Sequence, residues 1–454
     1  MTTQTSPDTT VIRTARQKAL VAGGIGNFVE WFDFGLYAQF AVIIGTQFFP
    51  SDNPTASLLA SFSAFAVGFL ARPIGGIVFG HFGDRMGRRV VLSAAVLLMS
   101  GSTVAIALTP NYATIGIVAP ILLVLWRVLQ GASAGGEYAG SSSFVIEYAP
   151  PRRRALFGSV NPVSVGLGTA TGAVVGLIVT QSMDAAALEA WGWRIPFLVA
   201  GPIGLIGLYL RLKIQETPEF EAVKEAAKAA AHPPIVRTFT LGRRPLIVLF
   251  LWSVLNAVGF YLLSGYMITY STEELGLSRP EALLAYIGAL VVFAIACPLA
   301  GMLADRWGRK RVAVISALFL GIAAVPSFLL MGIGGFGTAL LGQSVYAIGI
   351  AAVSLITPML MVELFDAEIR YTASALAYNL AYAILGGTAP LVATWLISAS
   401  GAAIAPGYYV VLVAIVGLLV AWFALGRYYD RSGTQSHQMV DAAETTAMKT
   451  AASA

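Results

Sequence analysis

Twelve blocks of predominantly apolar residues run through this chain, and they leave it one architecture, a bundle of helices crossing a bilayer. As helix, about 20 residues span a hydrocarbon core of roughly 30 Å, and a helix satisfies its own backbone groups there. The blocks lie near 19–45, 56–80, 90–109, 114–146, 156–182 and 192–212, then near 245–270, 280–303, 312–331, 336–362, 372–397 and 407–427. Of the 454 residues, 57% are apolar and 11% charged, whereas soluble domains carry about 45–50% and about 25%. A soluble enzyme is excluded. The lone Cys297 and the scattered His81, His232 and His437 supply neither a disulfide framework nor spaced metal ligands, and no cofactor is expected. The first apolar run is too long for a signal-peptide core and holds Glu30 and Asp33, so it reads as a retained span.

The expected fold class is an all-α membrane protein of 12 transmembrane helices in two pseudo-symmetric six-helix bundles. A tail over 1–18 precedes a bundle over 19–212; a connector over 213–244 leads to a second bundle over 245–427 and a disordered tail over 428–454. In the connector, Thr217 as N-cap and Pro218 at the first position predict a helix that Pro233 and Pro234 end. Tryptophans 191 and 193 suit the membrane interface. Placing both termini in the cytoplasm puts 24 of the 28 Lys and Arg residues on that side, among them Arg85, Arg88, Arg89, Arg152, Arg153, Arg154, Arg211, Arg306, Arg309 and Arg370. Arg194 and Arg279 fall at the outer edge, and Arg72 and Arg127 within spans. Basic residues in short loops resist translocation, so this asymmetry predicts the topology, and the positive charge needs no nucleic acid to explain it.

An internal repeat shows that the bundles are duplicates. GHFGDRMGRR at 80–89 and GMLADRWGRKR at 301–311 share G-x-x-x-D-R-x-G-R, each between two apolar blocks on the basic side. Glu147 precedes Arg154 by seven residues, and Glu363 precedes Arg370 by seven. The glycines suit tight reversals and close helix approach. Asp84, Arg85, Arg88, Glu147 and Arg154, with Asp305, Arg306, Glu363 and Arg370, are candidates for ion pairs that latch the cytoplasmic side. The same loop charges also serve topology and packing alone.

Ionisable groups buried in a bilayer are costly and mark a pathway for ions or substrate by default. Here all of them fall in the first bundle. In span 1, Asn27, Glu30, Asp33 and Tyr37 share one stripe about half way across. Two close carboxylates oppose each other's ionisation, which makes Glu30 and Asp33 proton-coupling candidates; permanent pairing with arginines, as interior glue, is the competing reading. In span 4, Arg127, Gln130, Ala134, Glu137 and Ser141 follow one inward face. Arg127, and to a lesser degree Arg72 in span 2, suit a substrate carboxylate or a span-1 acid. Glu137 lies about 15 Å beyond Arg127 along the helix and is assigned to the inner gate or exit path. The second bundle offers neutral polar and aromatic groups as the opposite wall, Asn256, Tyr261, Gln343, Tyr346, Tyr378, Asn379 and Tyr382. With Trp31 and Phe34, its tyrosines suit a quaternary ammonium through cation–π attraction, although most aromatics at helical spacing are packing.

The two Asp-Arg loops resemble the signature loop of the major facilitator superfamily, between spans 2 and 3 and between spans 8 and 9. Within that superfamily, GNFVEWFDFGLYA at 26–38, RPIGG at 72–76, RVLQGASAGGEYAG at 127–140 and WGWRIPF at 191–197 resemble the metabolite:proton symporter family. EYAGSSSFVIEYAP at 137–150 and AEIRYTASALAYN at 367–379 are most similar to its proline/betaine transporter branch. Arg127 with Gln130 and Gly131 resembles the superfamily's span-4 motif, in which the arginine is tied to proton coupling. The resemblance implies a proton-driven symporter in the plasma (inner) membrane, acting by alternating access as a monomer. Its partners would be the bilayer, H+ and a small zwitterion or organic acid. The alternative is a proton-linked efflux antiporter, although span 5 lacks the Gly-Pro of the superfamily's antiporters. Osmosensing members of the branch end in a long coiled coil that this sequence does not have.

Overall fold

A computed structural model describes residues 9–213, 216, 220, 234–426 and 428. Its long helices are α1 (Thr9–Phe48), α2 (Pro54–Met86), α3 (Arg88–Leu108), α4 (Val118–Glu147), α5 (Pro151–Ser182) and α6 (Arg194–Leu212). They continue as α7 (Arg243–Glu273), α8 (Arg279–Trp307), α9 (Arg309–Gly332), α10 (Phe336–Glu363), α11 (Arg370–Ser400) and α12 (Ala405–Ala424). Among the described residues, eleven are long and apolar enough to cross a membrane, and α1, bent by 66° between Tyr37 and Gln39, is the twelfth when its two arms are taken as one span. The expected spans recur with shifted ends. Most notably, α1 begins at Thr9, ten residues before the apolar run, because helix continues through the polar approach.

The connector differs from expectation where it is described. Pro234 opens a further helix, Pro234–Leu241, since proline's missing N–H and fixed φ suit a first turn. The helix expected from Thr217 to Pro233 lies outside the described residues, as does the tail beyond 428. Trp191 is half-exposed as an interfacial residue should be, but Trp193 is fully buried against Phe48 and Phe197.

Glycines let the helices of the first bundle touch along their backbones, the usual packing device where lipid gives no hydrophobic drive between helices. A Cβ on Gly131 of α4 would collide with the Gly68 carbonyl of α2, and one on Gly168 with the Phe28 carbonyl of α1. Gly172 extends that α1–α5 seam, its Cβ position 2.7 Å from the Phe32 carbonyl. Apolar side chains such as Leu70, Ile74, Leu205, Ile322, Leu391 and Phe423 face outward and are exposed, as a lipid-facing girdle requires.

The repeated loops do the same local work twice. Gly87 and Gly308 sit at φ 109° and 91°, a left-handed conformation that favours glycine, and each starts the next helix, α3 or α9. Gly80 and Gly301 admit close crossings: their Cβ positions lie 2.7 Å from Thr372 Cα and 2.9 Å from Leu156 Cα, both in the opposite bundle.

Candidate functional site

Those crossings bring each loop aspartate onto the first turn of a helix in the other bundle. Asp84 accepts the N–H groups of Tyr371 (3.1 Å) and Thr372 (2.9 Å) and the Thr372 hydroxyl (2.7 Å) at the start of α11. Asp305 accepts the N–H groups of Ala155 and Leu156, both at 2.9 Å, in the first turns of α5. A carboxylate here satisfies orphan donors and faces the positive end of the helix dipole. Glu147 lies between Arg88 (3.3 Å) and Arg370 (2.7 Å), joining the bundles, and Arg88 also donates to the Ala367 carbonyl. Glu363 pairs with Arg309 at 3.3 Å inside the second bundle. Deeper in, Tyr371 donates to the Gly136 carbonyl and Asn379 to the Gly135 carbonyl. The basic end is shut.

Of the remaining gate candidates, Arg85 is half-buried with its Nε unpartnered among the described residues, Arg154 opens the helical turn Arg154–Gly158, and Arg306 is exposed. Glu137 corrects the assignment to the gate. It forms an ion pair with Arg211 inside the first bundle, and Arg211 also donates to the carbonyls of Ala22 and Leu92. Arg211, counted from sequence as a loop charge, is a buried brace at the last turn of α6.

At mid-height each span-1 acid has its own arginine. Glu30 accepts from Arg72 Nη2, and Arg72 Nη1 donates to the Tyr261 hydroxyl at 3.1 Å, across to the second bundle. The Arg72 guanidinium lies 5.3 Å from the Phe34 ring centroid and 5.5 Å from that of Phe69. Asp33 accepts from Arg127 at 2.9 Å, and that guanidinium stacks 3.7 Å over the Tyr37 ring. Tyr37 in turn donates to the Ser61 carbonyl. All four charged groups are fully buried. Glu30 Oε2, Asp33 Oδ1 and Arg72 Nε have no hydrogen-bond partner among the described residues.

Between the bundles lies a cavity of about 10 Å³, space for roughly one water. Its walls are the rings of Trp31, Tyr138, Phe260, Phe293, Tyr378 and Tyr382, with Asn256 and Ser354 as polar points. The rings close on one another: Tyr138 and Tyr378 stack at 4.7 Å, Tyr378 and Tyr382 meet at a tilt at 4.0 Å, and Trp31 meets Phe260 edge-on at 5.0 Å. Tyr261 ties this cage to the charges, since its ring lies 5.8 Å from Trp31 and 5.6 Å from Tyr382 while its hydroxyl holds Arg72. Wide π-helical turns at Leu262–Tyr266 and Tyr382–Gly386 place these tyrosines, a local irregularity frequent at functional sites.

The structure therefore gathers Asn256, Tyr378 and Tyr382 at the cavity and Arg72 one contact behind it. Arg127 and Tyr37 sit with Asp33 inside the first bundle. Gln343, bonded to Ser271, and Tyr346, bonded to the Gly259 carbonyl, sit within the second, and Asn379 belongs to the closed end. Sequence reasoning missed Tyr138, Phe260 and Phe293; adjacency to Glu137 and Tyr261 was the available signal for the first two.

The sequence profile described as Major Facilitator Superfamily matches residues 23–389 and again 253–449. The chain is 38% identical over 425 residues to the glycine betaine/proline/ectoine/pipecolic acid transporter of Dickeya dadantii, covering 92% of this chain and 85% of that one. It is 35% identical over 421 residues to the proline/betaine transporter of Escherichia coli, covering 91% and 84%. Among solved structures it resembles a proton:xylose symporter bound to 6-bromo-6-deoxy-D-glucose, with TM-score 0.75 and 22% identity over 90% of this chain and 95% of that one. It also resembles a superfamily transporter in the outward conformation, with TM-score 0.65 and 17% identity over 90% and 98%.

Proposed function

The chain belongs to the major facilitator superfamily, and from that premise we propose that it is a proton-coupled symporter importing a small zwitterion such as proline or betaine by alternating access. It spans the inner membrane with both termini in the cytoplasm, its basic end facing inward, and functions as a monomer. The observation that carries this reading is the aromatic cage beside Arg72. Ring faces attract a quaternary or secondary ammonium at about 0.5–2 kcal/mol each. A guanidinium supplies the planar donors a carboxylate needs. A zwitterion carries both groups a few bonds apart. The cage has room for about one water, so substrate entry has to part the rings, and the hydrogen bonds already holding the basic end shut favour parting toward the opposite side.

The driving force is sufficient. One proton crossing 100 mV gains about 2.3 kcal/mol, enough for roughly 50-fold accumulation at about 1.4 kcal/mol per decade. The test is uptake of labelled proline, betaine, α-ketoglutarate, citrate and shikimate into proteoliposomes with and without an imposed pH gradient. Gradient-driven accumulation of proline or betaine is expected. Accumulation of none of the five would refute symport, and accumulation of the di- and tricarboxylates alone would refute the zwitterion assignment.

A further inference from the structure

We propose that Glu30 takes up the co-transported proton, and that the substrate's own carboxylate triggers this by displacing Glu30 from Arg72. This rests on the symport reading above and assigns its coupling step. Arg72 is the cation nearest the cage, reaching it through Tyr261, and its guanidinium is only partly used: Nη2 holds Glu30, Nη1 holds Tyr261, and Nε has no partner among the described residues. Glu30 likewise has one oxygen on Arg72 and the other without a partner among the described residues. Both side chains are fully buried, and aromatic rings flank the guanidinium.

A zwitterion seated with its ammonium in the cage brings its carboxylate to this guanidinium. Two buried carboxylates would then compete for one guanidinium, which stays protonated, while the substrate's ammonium is held apart from them by the rings of the cage. A surplus carboxylate in such surroundings is strongly disfavoured as an anion. The carboxylate that loses the guanidinium is the one that binds H+. The substrate carboxylate, if ionised, keeps the planar two-point contact with arginine. Glu30, released from it, is left buried without another ion partner among the described residues: Asp33 one turn along α1 is paired with Arg127, Glu137 of α4 is paired with Arg211, and the hydroxyls of Tyr138, Tyr261 and Tyr382 complete its electrostatic surroundings. Glu30 is therefore the group that gains the proton. The step balances: one H+ enters from the uptake side, forms the Glu30 O–H bond, and leaves when substrate departs and the Glu30 carboxylate returns to Arg72. Asp33 has no such competitor, since Arg127 holds it against Tyr37, away from the cavity walls.

The experiment reads protons directly. Betaine is added to the purified full-length protein in weak buffer with a pH indicator, and affinity is measured across pH. Wild type is expected to take up about one proton per betaine bound, with affinity falling about tenfold per pH unit once Glu30 ionises in the empty site. Glu30→Gln is expected to bind betaine with no proton uptake and a flat pH profile. A second measurement needs no variant. The infrared difference spectrum on adding betaine gains a protonated-carboxyl band, which shifts when the protein is grown with carbon-13 glutamate. A band that shifts with labelled aspartate instead, betaine binding to wild type without proton uptake, or proton uptake persisting in Glu30→Gln overturns the assignment. Symport itself fails only if the proteoliposomes show no gradient-driven accumulation, so the two outcomes are separable.

Discussion

Asp84→Asn removes one charged cap from the closed basic end while leaving the helices that form it intact. The carboxylate is buried and accepts three hydrogen bonds from α11, two of them from backbone N–H groups at the helix start. An asparagine presents one oxygen and one NH2, so at least one N–H loses its acceptor and meets another donor. Loss of a helix cap costs about 1 kcal/mol, and hydrogen bonds to charged groups contribute roughly 1.5–3 kcal/mol, against which the relief of a buried charge is set. A net loss of about 2 kcal/mol shifts the closed-to-open ratio roughly 30-fold. Spin labels at Val90→Cys and Asp366→Cys, in a Cys297→Ala background, report the distance across this end; both sites are exposed, and their neighbours Arg88 and Ala367 are hydrogen-bonded. The substituted protein should show a new long-distance population of that order. An unchanged distance distribution in Asp84→Asn and in the double substitution with Asp305→Asn would refute the idea that these caps hold the end shut.

Three other perturbations test separate parts of the structure. Trp31→Leu should raise the Kd for betaine about 2- to 30-fold, the loss of one cation–π face worth roughly 0.5–2 kcal/mol; an unchanged Kd by equilibrium binding would place the ammonium elsewhere. Arg211→Met leaves Glu137 buried and unpaired and should cost about 3–5 kcal/mol, seen as a large fall in Tm, with Glu137→Met on top recovering part of it. Gly131→Ala pushes a methyl group into the Gly68 backbone carbonyl and should lower stability by about 1–3 kcal/mol. Gly101→Ala, with nothing within 4 Å of its Cβ position, should not, and equal effects of the two on Tm would sink the close-packing account.

The fold was legible because its strongest constraint is local. Each span needs only an apolar run of sufficient length, and the duplicated Asp-Arg loops announced both the repeat and the end of the bundle where the halves meet. What failed is what depends on which neighbour a helix face meets. Helical spacing puts Glu137 on the same stripe as Arg127, yet it carries no information that the last turn of α6 delivers Arg211 beside it. Gln343 and Tyr346 are polar groups on a span, as Tyr378 is, but their face of α10 packs inside the second bundle while that of α11 meets the first. Trp193 shows the same limit, an interfacial residue type whose ring turns into the core.

Duplication with divergence explains how such a site arises at the seam. The two bundles kept identical gate parts, Gly80 with Asp84 and Gly87, and Gly301 with Asp305 and Gly308, and each aspartate caps a helix of the other. Reciprocal caps make the closed end a property of the pair, so neither bundle can tilt without releasing both. The middle of the membrane shows no such symmetry. The first bundle supplies Glu30, Asp33, Arg72 and Arg127, whereas the second supplies Tyr261, Phe260, Tyr378 and Tyr382, without a buried charge beside them among the described residues. A pair of bundles both charged there would bury like groups face to face when the halves close. Charges on one wall and rings on the other let the seam close without substrate, with Tyr261 on Arg72 as the bond that any incoming carboxylate has to contest.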